Sequence, residues 1–138
     1  MRCVSVYLHL VWATWDRNMW INPGIEQQAH RMIISATKNL GCSSLAINGM
    51  PDHVHLLVKL TSTITIAELV RRAKGTSSRL INQNYFVDDH FRWGIGYGAF
   101  SVSRWDTDKV VNYIRHQKEH HQSGYLIEDL ESLPSTKA

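Results

Sequence analysis

Apolar and polar residues alternate from Cys3 to Ala13, with Val4, Val6, Leu8 and Leu10 on one side and Ser5, Tyr7, His9 and Val11 on the other. A period of two predicts a strand over 3–13 with one well-buried face. A loop rich in Trp and polar residues follows, and Asn22-Pro23 then supplies a cap and a first-turn proline. Ile25, Ala29, Met32, Ile33, Ala36 and Leu40 recur at helical spacing and Gly41 stops them, which predicts a helix over 23–40. Strands are expected over 42–49 and 53–60, joined as a hairpin by Gly49-Met50-Pro51-Asp52. A second helix is expected over 64–83, with Ile66, Leu69, Val70, Ala73, Leu80 and Ile81 inward and Gly75 a weak point. Residues 84–95 read as irregular, 96–103 as a last strand, and 107–122 as a helix capped by Asp106.

The order β-α-β-β-α-β plus one helix predicts an α+β fold, a ferredoxin-like (RRM-like) antiparallel sheet. The first and third strands are then central, two helices cover one face, and the last helix is free to cross the other. The chain has 138 residues, 43% of them hydrophobic and 20% charged, enough for one domain with a proper core. A single domain over 1–124 is expected, followed by an acidic, loosely held tail over 125–138.

Charge adds one asymmetry. The tail holds Glu128, Asp129 and Glu131 against Lys137, so 14 of the 15 basic and 9 of the 12 acidic side chains precede it. That balance suits a polyanion without proving one. Cys3 and Cys42 lack CxxC spacing and read as reduced packing thiols. No apolar run approaches the roughly 18–20 residues that span a bilayer, and no secretory signal is visible, so a cytoplasmic protein without a membrane partner is expected. Gly-rich phosphate loops, HExxH and GxSxG are missing.

The sharpest chemical feature is His53-Val54-His55 at the start of the third strand. Alternation puts both imidazoles on one face with Leu57, while Val54, Leu56 and Val58 share the other. Two imidazoles so placed can grip one cation and leave positions for a substrate oxygen. Taken alone, HxH is equally a pair of half-exposed strand histidines. On the last helix Tyr113 and Gln117 are four residues apart and share a face, with His120 and His121 one turn on. Alone they would pass for a packed aromatic and a solvated helix former.

Together these residues resemble a known family. Pro51-Asp52-His53-Val54-His55-Leu56-Leu57, followed by Tyr113-Ile114-x-x-Gln117-x-x-His120-His121, is similar to the single-tyrosine HUH transposases of insertion-sequence 200/605-type elements. The early His9-Leu10-Val11-Trp12-Ala13-Thr14 and the stretch Gly96-Tyr97-Gly98-Ala99-Phe100-Ser101-Val102-Ser103 fit the same pattern. The likeness spans roughly residues 5 to 122, in order. It implies an enzyme that cuts and rejoins single-stranded DNA at element ends through a 5′-phosphotyrosine link. By position, Tyr113 would be the nucleophile and His53, His55 and Gln117 the ligands of a divalent metal, Mg²⁺ with Mn²⁺ as substitute. It also implies a homodimer acting on hairpin-bearing single-stranded DNA, with the tyrosine helix able to serve either subunit through the stretch near Ser103 to Thr107.

For DNA contacts, Arg71, Arg72, Lys74 and Arg79 form the densest basic stretch, and Arg115 and Lys118 flank the tyrosine's face. Either set is equally the solvated side of an amphipathic helix. Trp12, Trp15, Trp20, Trp93 and Trp105 offer stacking surfaces or core. Two other functions share the same features: a domesticated relative acting on repeated chromosomal hairpins, and a non-catalytic nucleic-acid module. The second lacks the interleaved aromatics that an RRM carries on its third strand.

Overall fold

The computed structural model describes residues 3–119. The acidic tail, His120 and His121 therefore lie outside the described residues. Four strands form one antiparallel sheet: β1 (Val6–Ala13), β2 (Ser43–Met50), β3 (His53–Leu60) and β4 (Gly98–Val102), in the spatial order β2-β3-β1-β4. Helices α1 (Pro23–Asn39) and α2 (Ile66–Tyr85) pack on one face. Helix α3 (Thr107–Arg115) crosses the other. This is the expected α+β architecture, with β1 and β3 central.

Local chemistry explains the boundaries. Asn22 Oδ1 accepts from the Ile25 amide at 3.0 Å, Pro23 fills the first turn, and Gly41, at φ 81°, turns the chain away after α1. Thr65 caps α2 through the Glu68 amide at 3.1 Å, so that helix starts two residues later than its hydrophobic pattern suggests. It also runs two residues further, to Tyr85, unbroken at Gly75. Asp106 occupies the position before α3 but makes no side-chain capping bond. The last helix does not run unbroken from 107 to 122 either. His116 leaves the helical conformation at φ −103°, ψ 22°, before helical residues 117–119.

The first strand begins at Val6, three residues later than expected, and departs from expectation in a second way. Leu8, Leu10 and Trp12 enter the main core with Ile25, Ile33, Leu56, Leu69 and Ile81, as their alternation predicts. Yet His9, Val11 and Ala13 on the opposite side are buried too. A central strand covered by helices on both faces has no solvent side, and α3 provides the second cover. Trp12 and Trp93 lie in the core, where the Trp93 indole donates to Ser77 Oγ at 2.9 Å. Cys42 packs in the core as expected, whereas Cys3 is exposed.

The β2–β3 hairpin turns through Pro51 and Asp52, pairing Met50 with His53 and Gly49 with Val54. A side chain at Gly49 would collide with the His53 carbonyl oxygen and come within 2.9 Å of Val54 Cα. Backbone this close must move, so Gly49→Ala should lower stability by about 1–3 kcal/mol, read from denaturant midpoints. It should also disturb His53 more than an alanine at exposed Gly75, where a Cβ meets nothing within 4 Å.

Candidate active site

The site builds up from register. Val11 pairs with His55 across β1 and β3, which puts His9 diagonally opposite His55 on the same face. His53 and His55 follow from alternation along β3. Their ring centroids are 5.1 Å apart, and both rings are buried. Tyr113 comes down from α3 with its ring edge-on to His55 at 6.2 Å and to His9 at 6.5 Å. Ile114, Leu57 and Ala46 form the apolar bed that seats this part of α3. Gln117 is fully buried one turn beyond Tyr113. His9, His53, His55 and Tyr113 therefore share one face, and the tyrosine lies against histidines of its own chain.

Two contacts hold the imidazole rings. His53 Nδ1 lies 2.7 Å from Asp52 Oδ1, and Asp52 Oδ2 accepts from Arg17 Nε at 2.9 Å. A carboxylate only accepts, so His53 Nδ1 donates, and in the neutral ring the lone pair is then on Nε2. Burial would raise the Asp52 carboxyl, but the hydrogen bond and attraction of His53, then those of Arg17, outweigh it and pull it down to about 2. The second contact is His9 Nε2 to His55 Nδ1 at 2.8 Å. In the sequence Asp52 reads as a turn former and a member of the family pattern, and His9 as a first-strand residue in that pattern, neither with a role at the site. Both carried a usable signal: Asp52 abuts the HxH pair, and His9 shares its parity on the neighbouring strand.

Arg17 reaches Asp52 from a strained turn. Asp16 and Arg17 both adopt left-handed backbone, at φ 56° and 55°. Two such non-glycine residues in a row cost about 1–3 kcal/mol each. The turn is tied by Thr14 Oγ1 to the Asn18 carbonyl at 2.7 Å and by Asn18 Nδ2 to the Trp15 carbonyl at 2.7 Å.

The end of α3 is held by Lys118, whose ammonium donates to both Glu26 carboxylate oxygens at 2.9 and 3.0 Å, to Asn48 Oδ1 at 2.9 Å and to the Gly49 carbonyl at 3.2 Å. Asn48 Nδ2 donates in turn to the Arg115 carbonyl at 3.1 Å. Lys118, a DNA-contact candidate by sequence, thus anchors the segment bearing Gln117. Lys74, a second candidate, donates to the carbonyls of Gly94 and Gly96 at 2.9 and 2.7 Å, and its burial lowers its pKa. Arg71 is bidentate on Glu68. Arg72 and Arg79 are exposed and line an open groove of about 600 Å³ between α1 and α2, on the face away from Tyr113. Arg115 is exposed on α3. Of the five tryptophans, Trp105 is 80% exposed, with the Arg104 guanidinium 4.4 Å from its ring centroid.

Among the described residues no group of three or more His, Cys, Asp or Glu side chains is arranged to hold a metal ion. A donor set of His53, His55 and Gln117 would be two imidazoles and one neutral carboxamide. It fits a divalent cation in two respects: with His53 neutral the Asp52 contact leaves its Nε2 as a donor atom, and Gln117 is a wholly buried carboxamide.

The arrangement is a four-stranded antiparallel sheet with paired imidazoles on a central strand, faced by a helix-borne tyrosine. The family of IS200-like transposases matches residues 2–117, and the chain belongs to it. It is 26% identical over 118 residues to the ISDra2 transposase TnpA of Deinococcus radiodurans, covering 80% of this chain and 84% of that protein. A crystal structure from Deinococcus radiodurans R1, described as a transposase, aligns with a TM-score of 0.67 and 24% identity, over 84% of this chain and 93% of that one. The structure of a REP-associated tyrosine transposase bound to a REP hairpin aligns with a TM-score of 0.66 and 13% identity, over 91% and 73%. These two structures share the fold. No helix among the described residues is long and apolar enough to cross a membrane.

Acid should dismantle this region in two stages. Burial lowers the pKa of His30 on α1 to about 4, with Glu26 opposing the shift and Lys118 adding to it. A histidine depressed in the folded state stabilises the fold above pH 6.5, and that contribution drains away as pH falls from 6.5 through 4. Asp52, also depressed, contributes above pH 3.8 and loses its share as pH falls through about 2. His30→Gln should flatten the first stage of a stability–pH curve and spare the second; Asp52→Asn should do the reverse.

Proposed function

We propose that this chain is a transposase that cleaves and rejoins single-stranded DNA through a 5′-phosphotyrosine intermediate, with Tyr113 as nucleophile. The observation that carries the reading is the packing of the Tyr113 ring 6.2 Å from His55, itself 5.1 Å from His53, all on one buried face. Burying that much polarity is costly unless the groups are hydrogen-bonded or coordinate a metal.

In this reading the phenol of Tyr113 gives up its proton and its oxygen attacks the scissile phosphorus. The O–P bond to tyrosine forms as the bond to the departing 3′ oxygen breaks, and that oxygen takes up a proton. The phosphodiester's energy is retained in the link, so a second 3′-hydroxyl can displace Tyr113 and rejoin strands without a nucleotide. His53, His55 and Gln117 would hold a divalent metal, Mg²⁺ or Mn²⁺, which would offset charge on the phosphoryl oxygens. Arg17 and Asp52 hold the His53 ring in place, and the Lys118 anchor keeps Gln117 on the site's face.

Phosphate contacts independent of sequence belong to Arg72 and Arg79 in the α1–α2 groove, with Arg71 next to them. Trp105 offers a face on which an unpaired base can stack. Hairpin-bearing single strands are the substrate class, by analogy with the hairpin held by the REP-associated relative. A homodimer would let α3 of one subunit serve its own histidines or its partner's.

The deciding experiment is incubation with labelled single-stranded element ends and Mg²⁺ or Mn²⁺. A protein–DNA adduct that survives denaturation should form, and should vanish in Tyr113→Phe and His53→Ala. Binding with no adduct on any end tested would leave a non-catalytic DNA-binding module instead. Mixed Tyr113→Phe and His53→Ala subunits should recover part of the cleavage if sites are shared. Arg72→Gln and Arg79→Gln should each reduce the salt slope of DNA binding by about 1, and Trp105→Ala should weaken single-strand binding by about 1–3 kcal/mol.

A further inference from the structure

His9 is a buried histidine to which the proposed chemistry gives no task. It comes from the middle of β1, is fully buried, and places Nε2 2.8 Å from Nδ1 of His55. Its ring is flanked by Phe100 at 6.3 Å and Tyr113 at 6.5 Å, so its plane is held from two sides. An apolar residue would fill the same position between helix and sheet at less cost, since a buried imidazole must recover the hydration it gives up.

The contact with His55 has two forms. A neutral imidazole bears one proton, on either nitrogen, and the partner at the other nitrogen decides which. If His9 Nε2 carries the shared proton, His55 accepts at Nδ1 and its own proton sits on Nε2, where no cation can bind. If His55 Nδ1 carries it, His9 accepts and His55 Nε2 has a lone pair. For His53 the choice is already made, because the Asp52 carboxylate can only accept from Nδ1.

We propose that His9 is a positioning residue that accepts the Nδ1–H of His55, fixing the tautomer in which Nε2 of His55, like that of His53, presents a lone pair. The proposal rests on the reading of His53 and His55 as metal ligands. Asp52 and His9 are then a matched pair of supports, one behind each imidazole. Supports of this kind at the far nitrogen hold a ligand ring in orientation and tautomer.

The test uses full-length, metal-free protein labelled with ¹⁵N and long-range proton–nitrogen spectra of the imidazoles. Wild type should show His55 protonated at Nδ1. His9→Gln, whose side-chain oxygen can accept the same bond, should keep that pattern, and His9→Phe should shift it toward Nε2–H. Titration with Mn²⁺ alone should show affinity reduced by about 10–100-fold in His9→Phe and largely recovered in His9→Gln. A wild-type His55 protonated at Nε2 overturns the proposal, and so does a folded His9→Phe that binds Mn²⁺ like wild type. Should His9→Phe not fold, the wild-type spectrum decides by itself. A wild type with the Nδ1–H pattern that takes up no Mn²⁺ supports the tautomer assignment and removes the metal reading alone.

Discussion

The pairing of β1 with β3 at the centre of the sheet is the constraint on which everything else depends. Its register sets Val11 opposite His55 and Leu10 opposite Leu56. The apolar members of both strands thereby enter one core, and His9, His53 and His55 emerge together on the other face. Side chains alternate with a period of two, so a slip of one residue would drive the imidazoles among Ile33, Leu69 and Ile81. The Gly49–Val54 approach and the two-residue turn at Pro51-Asp52 pin the same register from the neighbouring strand.

On that face lies an unusual interior. Beneath α3 sit three imidazoles against the phenol of Tyr113, with Leu57, Ala46 and Ile114 supplying the apolar contact. Burying polar groups is unfavourable unless they are hydrogen-bonded. The ties seen here meet part of that demand while also fixing geometry: Arg17 to Asp52 to His53 on one side, His9 to His55 on another, and Lys118 to Glu26, Asn48 and Gly49 just past the helix end. Packing density needs none of this polarity. It is intelligible as a reactive surface held in one arrangement by supports that are themselves anchored in β1, α1 and the hairpin.

Charge is divided between the two faces of the sheet. The groove between α1 and α2 presents Arg72 and Arg79 far from the tyrosine, while Lys74 and Lys118 are committed to carbonyl and carboxylate oxygens of the fold. A basic stretch counted along a sequence therefore overstates the cations available to a ligand. Within α2, neighbours in sequence diverge in role: Arg71 is matched by Glu68, Lys74 braces the loop after it, and Arg72 faces solvent.

Much of this was legible in the residue order, because alternation and helical spacing report which side of an element is buried. They give the four strands, the two long helices, the central place of β1 and β3, and the common face of His53, His55 and Leu57. The family pattern singles out Tyr113 and Gln117, which local spacing alone leaves ambiguous. What the tertiary structure decided is what depends on two distant segments meeting. Burial of β1 on both faces needs α3 to dock across it. The support of His53 through Asp52 needs Arg17 to arrive from the turn after β1, and the partner of His55 needs His9 to arrive from β1 itself. The end of α3 is settled by Lys118 reaching Glu26 and Asn48, which no period within α3 encodes. One-dimensional patterns record how each segment meets the core, whereas hydrogen bonds between side chains tens of residues apart exist only once the sheet has brought those segments together.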